Sequence, residues 1–386
     1  LTSPAKKFYL HPALPLPPMK NALQNKRSKP VAVWLMVGVF MIVVQIILGG
    51  ITRLTDSGLS ITEWKPLLGT FPPTNEAQWN EAFNGYKQIA QFKHLHSYFT
   101  LDDFKNIFFW EWLHRNWGRL IGIVFAVPFI IFLAQKRFTK DMVIPMIILF
   151  LLGGLQGLIG WLMVQSGLND DNLYVSHIRL SIHFIAAVGL LVYTWWFALR
   201  LMVNKEERMI NLPLKNLLGW IIALLVVQLV YGAFMAGLKA ALIAPTWPDI
   251  NGSYLPNVIS YQGRQHSFLS SLVNNPIAVH FVHRNLAYLL TLLIFIWSIK
   301  AARQKNSSLF NTIKWIPLLL VLAQVGLGIA TVLTSIKKVP QRWGVFEWNA
   351  QAHQVVAILL LLSLISVFFL YTKQHSAAPK AAGLSY

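Results

Sequence analysis

Eight mostly apolar stretches, each about the 20 residues that a membrane-crossing helix needs, constrain this chain more than any other feature. They cover residues 31–51, 114–134, 142–165, 177–202, 216–237, 280–301, 314–334 and 351–372. Only 12% of the 386 residues are charged, against about a quarter in soluble domains. The expected class is therefore an all-α integral membrane protein. Trp34, Trp110, Trp112, Trp117, Trp195, Trp196, Trp315 and Trp348 stand near segment ends, where interfacial aromatic anchors belong.

Net charge is +19, which in a soluble protein would point to nucleic acid. Here its distribution explains it. Residues 1–30, the loops near 135–141, 200–215 and 300–314, and the C-terminal tail carry 19 Lys and Arg, against 11 in the alternate, longer loops. The positive-inside rule then places both termini in the cytoplasm or matrix and the long loops outside. Lys337, Lys338 and Arg342, in the last outer loop, dissent mildly. The basic tail 1–30 leads into an apolar run without a small-residue cleavage site, which reads as an uncleaved first helix. Met19 is the first methionine, so the natural start is expected there, or the residues before it form a tail of uncertain origin.

A tripeptide occurs twice, as His114-Arg115-Asn116 and as His283-Arg284-Asn285, at an offset of 169 (283 − 114). A second histidine follows each at nearly equal spacing: His183 at 69 (183 − 114) and His353 at 70 (353 − 283). Val43-Val44-Gln45 is answered by Val226-Val227-Gln228, and Gln156 with Gly160 by Gln324 with Gly328. Helices 1–4 and 5–8 thus read as copies: two tandem four-helix bundles over 31–202 and 216–372, joined by a linker at 203–215. With four helices per copy, both insert the same way up, related by an axis along the membrane normal. The four histidines are expected in the outer half of the bilayer, His114, His283 and His353 within about the first turn of their helices and His183 two turns in.

There is no cysteine, which excludes disulfides, thiolate metal sites, iron–sulfur clusters and covalent haem attachment. Histidine is then the main ligand candidate, and pairs of helix-borne imidazoles suit axial ligation of two haems. Arg115 and Arg284 are assigned to haem propionates, with snorkelling to lipid phosphate as the plainer alternative. Gln156 and Gln324 read as helix–helix hydrogen-bonding residues. The copies diverge three residues before the first histidine, where Glu111 faces His280. Residues three apart share a helix face, so Glu111 can reach whatever His114 binds and act as base, proton relay or charge stabiliser. His11, His94, His96, His177, His266 and His375 have no counterpart in the repeat and read as loop residues. The first outer loop, 51–113, is long, and the aromatic-rich stretch 75–109 predicts short amphipathic helices lying over the membrane or over a site.

The GGITRLTDSGLSITEWKPLLGTFPP stretch at 49–73, EWLHRNWGRLIG at 111–122 and the paired histidines resemble haem A synthases of the mitochondrial and proteobacterial form, over residues 31 to 372. What the resemblance implies is oxidation of a ring methyl of haem O to a formyl group by successive hydroxylations, giving the haem A of cytochrome c oxidase. It implies His114 and His183 at the substrate haem, Glu111 as catalytic carboxylate, and His283 and His353 as the axial pair of a retained haem b. A thiol step proposed for a cysteine-bearing branch cannot apply here. Expected partners are haem O and haem A, membrane lipid, haem O synthase and cytochrome oxidase assembly factors, with no nucleic acid; a homo-oligomer stays open. The expected location is a bacterial plasma membrane, ahead of the mitochondrial inner membrane. Two other classes compete: a dihaem b-type electron-transfer cytochrome, and a repeat-built transporter, which would need broken helices at midplane.

Overall fold

The computed structural model describes residues 29–64, 68–169, 171–261, 263–265, 267–304, 307–340 and 342–372. The tail up to residue 28, the tail 373–386, Met19, His11, His266 and His375 lie outside the described residues. Eight helices are long and apolar enough to cross a membrane. They are α1 (Lys29–Leu54), α2 (Leu101–Ala134), α3 (Lys140–Gln165), α4 (His177–Met202), α5 (Leu212–Gly237), α6 (Pro276–Ala302), α7 (Ile316–Thr334) and α8 (Val345–Leu370). The only strands among the described residues are Ser260–Tyr261 and Arg264–Gln265, a short antiparallel pair.

Helix starts follow local capping chemistry rather than hydropathy, and this corrects the sequence expectation. α2 begins at Leu101, well before residue 114, because Thr100 and Asp103 form a capping box that satisfies its first N–H groups. α6 begins at Pro276, where the Asn275 side chain accepts from the amides of Ile277 and Ala278. His114 is accordingly more than three turns into its helix, and His283 and His353 about two turns in, not within the first turn. His177 opens α4 and is a helix residue, not a loop one.

In the first half, α1 packs on α2 and α4, and α3 packs on α4 and α2. In the second half, α5 packs on α6 and α8, and α7 on α8 and α6. The halves meet through α4 with α5, α1 with α8, and α4 with α8. The apolar cluster at this junction includes Ile42, Ile46, Leu191, Leu218, Leu225, Leu290, Ile358 and Leu361. Half of the most apolar stretch of α1 and 56% of that of α8 are buried, whereas none of that of α2 is, so α2 turns its apolar surface outward to lipid.

At the end opposite Lys29 and Thr372, residues 55–64 and 68–100 form a lid. Its helix Glu76–Tyr86 and the wide turn Phe92–His96 fulfil the expectation of short elements there, while the rest of the aromatic-rich stretch is the extension of α2. Leu59, Phe83, Tyr86, Ile89, Phe99, Phe104, Ile107 and Phe108 give the lid an apolar core of its own. His96 is buried in it, stacked on Phe99 with ring centroids 4.1 Å apart and 2.6 Å from the Tyr86 hydroxyl.

Candidate active site

Each of the four paired histidines rests against a glycine of a neighbouring helix, four residues after a glutamine. A Cβ added at Gly49 would stand 3.3 Å from His114 Nε2, and one at Gly232 would stand 3.4 Å from His283 Cε1. At Gly160 and Gly328 it would come within 2.8 Å of His183 Cε1 and 2.9 Å of His353 Cε1, closer than real Cβ contacts come. Glycine is therefore what lets these rings come this close to the facing backbone.

The glutamine amides donate across the same helix pairs. Gln45 reaches the His114 carbonyl (3.1 Å), Gln156 the His183 carbonyl (2.9 Å) and Gln228 the His283 carbonyl (3.0 Å). The Gln324 amide instead lies 3.2 Å from His353 Nε2, and its backbone carbonyl accepts from His353 Nδ1–H at 3.0 Å. That carbonyl sets the His353 tautomer and makes Nε2 the acceptor nitrogen, which here takes the Gln324 amide and is the atom a metal would claim in its place. The motif Gln-x-x-x-Gly recurs four times, at 45–49, 156–160, 228–232 and 324–328. In the sequence repeat Gln45 already answers Gln228, and Gln156 with Gly160 answers Gln324 with Gly328; the structure adds Gly49 and Gly232 to the pattern.

His283 and His353 face each other with ring centroids 6.4 Å apart at 73°. A metal held between two imidazole nitrogens at about 2 Å each requires roughly that separation, so the pair fits an axially ligated haem iron. His114 and His183 line the same cavity, about 1030 Å³ in volume, which extends through both halves. Oε1 of Gln45, Gln156, Gln228 and Gln324, and Nδ1 of His283, are buried without a partner among the described residues. Buried polar atoms are rarely left so unless an occupant is to meet them.

Glu111 is buried, and both its oxygens are engaged. Oε1 accepts from Arg115 at 2.6 Å; Oε2 accepts from the Ser60 hydroxyl (2.8 Å) and the Ile61 amide (2.9 Å). Arg115 donates further to the carbonyls of Ile61 (2.9 Å) and Glu63 (3.1 Å), so the carboxylate and the lid are tied by one guanidinium. In the second half Arg284 donates to the carbonyls of Thr246, Pro248 and Asp249, and His280 Nε2 lies 3.0 Å from it. Glu111 and His280 thus meet matched arginines with different chemistry, one a carboxyl group and one an imidazole. The two arginines spend much of their forks on loop carbonyls.

The cavity walls differ at matched positions. Gly118 answers Ala287 (offset 169), and Gly153 and Gly157 answer Val321 and Val325 (offset 168); all six line the cavity. Beyond Gly122, Gly153, Gly154 and Gly157 there is open space. At positions 118, 153 and 157 the first half leaves open what side chains fill in the second.

The family model of cytochrome oxidase assembly proteins, COX15-CtaA, matches residues 32–365. A Flavobacterium psychrophilum protein named heme A synthase is 38% identical over 345 residues, 87% of this chain and 96% of that protein. One of the same name from Flavobacterium johnsoniae is 39% identical over 346 residues, again 87% and 96%. Another, from Rhodospirillum centenum, is 41% identical over 333 residues, 86% of each chain.

Proposed function

Since this chain belongs to the COX15-CtaA family of cytochrome oxidase assembly proteins, we propose that it acts as a haem A synthase, oxidising a methyl group of haem O to a formyl group. Two hydroxylations, each passing two electrons to an external electron acceptor, followed by loss of one water from the resulting geminal diol, account for that conversion. The observation that supports this reading best is the unequal pair of half-sites. The one with Glu111 and a glycine-lined wall suits a substrate that must enter, react and leave; the one with His280 and two valines suits a resident haem b. A dihaem cytochrome would have no use for the difference.

In this reading residues 31–202 and 216–372 are two four-helix units of common origin. His283 and His353 hold haem b, which supplies one-electron transfer when bound. His114 and His183 hold the iron of the substrate. Glu111, fixed by Arg115, Ser60 and Ile61, presents a charge in an apolar cavity and stabilises positive charge developing at the reacting methyl carbon. Arg115 and Arg284 bind the loops that close the two sites and so exclude water from them. The lid faces the outside of a bacterial plasma membrane and both termini the cytoplasm, where haem O synthase and oxidase assembly factors are the expected partners.

The test is haem extraction from membranes that supply haem O. Wild-type protein should yield haem A; Glu111→Ala should yield haem O with little or no haem A, while retaining haem b. Undiminished haem A in that variant would remove Glu111 from the reaction. Loss of the as-purified haem b from His114→Ala but not from His353→Ala would reverse the halves.

A further inference from the structure

Arg53 lies one turn beyond Gly49 on α1, on the same helix face. Gly49 backs the His114 ring, so Arg53 stands at the lid-end rim of the first-half site. Its side chain lines the cavity and, among the described residues, makes no hydrogen bond and no ion pair within 4 Å. The carboxylates near enough to act on it electrostatically are Asp56 and Glu347. Both are committed: Glu347 Oε2 accepts from the Gly344 amide, and Asp56 is bound by Lys239 at 3.0 Å and Lys338 at 3.5 Å. Lys239 also lies over the Tyr174 ring, 3.6 Å from its centroid.

Three cations therefore face two carboxylates, Asp56 and Glu347, at the rim of an apolar cavity. A guanidinium that touches no counter-ion in such a place gains when an anion arrives to meet it. The position matched to Arg53 in the second half is Ala236 (offset 183), so the guanidinium has no counterpart there. The arginines expected from sequence to serve propionates, Arg115 and Arg284, are largely occupied by loop carbonyls, Glu111 and His280.

We propose that Arg53, with Lys239 and Lys338 beside it, binds the propionate carboxylates of the porphyrin in the first-half site. This rests on the reading of that site as a haem pocket. The planar fork of Arg53 suits one carboxylate in two-point contact, while the lysines supply point charges at the same rim. Such an anchor fixes the rotation of the porphyrin about the iron axis. It thereby selects which ring methyl is presented to Glu111.

The experiment is a spectroscopic titration of the purified protein, its second-half haem in place, with iron protoporphyrin IX and separately with its dimethyl ester. Wild-type protein should bind the diacid more tightly than the ester. Arg53→Gln should weaken the diacid by roughly ten- to a hundredfold, the worth of a charge-assisted contact, and leave the ester unchanged. Arg53→Lys should recover part of the loss. Retained second-half haem and unchanged ester binding show that the variant is folded. Equal weakening of diacid and ester, or no weakening of either, would overturn the anchor while leaving the haem pocket standing. Failure of wild-type protein to bind either porphyrin would overturn the pocket and the anchor together.

Discussion

Asp56 and Lys239 occupy matched positions in the two halves, at the same offset of 183 that relates Gln45 to Gln228, and their side chains meet at 3.0 Å. Each follows a long helix, α1 or α5, and each has left-handed backbone, with φ of 53° and 52°. A non-glycine residue in that region costs of order 1 kcal/mol, so the turn is held by what it makes possible. Here that is an ion pair joining one half to the other, extended by Lys338 on the same carboxylate. Both groups are mostly shielded, so Asp56→Asn should destabilise the protein by about 1–2 kcal/mol, read as a lowered thermal midpoint in detergent. A double-mutant cycle with Lys239→Met should show coupling; additivity would mean that the contact contributes nothing.

The hold on Glu111 is separable from its charge. Ser60→Ala removes one of three hydrogen bonds to the carboxylate and should cost about 1 kcal/mol while retaining part of the haem A yield. Glu111→Gln keeps the shape but not the charge, and should lose most of the product. Equal haem A from the two variants would assign Glu111 to lid attachment alone.

The glycines behind the histidines make a half-specific prediction. Gly328→Ala would press on His353 and should deplete haem b as purified; Gly160→Ala would press on His183 and should leave haem b intact while lowering haem A. Absorbance spectra and extracted haems distinguish the two.

Filling the wide wall is a different test, because no ring has to move. Gly153→Val with Gly157→Val copies the second half into open space. The pair should abolish haem O turnover with fold and haem b unchanged. Normal turnover would mean that the extra width is not used by substrate.

The lid carries a pH dependence. Burial holds His96 below its ordinary value of 6.5, with Asp56 opposing that fall and Lys239 adding to it. As pH drops through about 6.5 the unfolded lid takes up a proton that the folded lid refuses, so lid stability is full above that pH and declines below it. Hydrogen-exchange protection over residues 76–99, measured relative to the intrinsic rate, should therefore fall from pH 7.5 to 5, and His96→Gln should flatten that fall. An unchanged pH response in the variant would place the dependence elsewhere.

The eight helices were legible because hydropathy is a local property: about twenty apolar residues suffice, whatever they pack against. The histidine pairs and the Glu111/His280 contrast were legible because duplication writes matched positions at a fixed offset. The true start of α2 was written too, in Thr100 and Asp103, but charges at 102, 103 and 105 masked it in a reading weighted toward hydropathy.

What only the tertiary structure decided is which polar group meets which. Sequence named Arg115 and Arg284 for an anion, and the fold turned much of each fork toward the carbonyls of loops distant along the chain. Sequence passed over Arg53, and the fold left its guanidinium facing the cavity among the described residues, its neighbouring carboxylates already engaged. Helix formation depends on neighbours along the chain, whereas a charge in an apolar interior takes its role from the groups within a few ångströms, which long-range packing alone supplies.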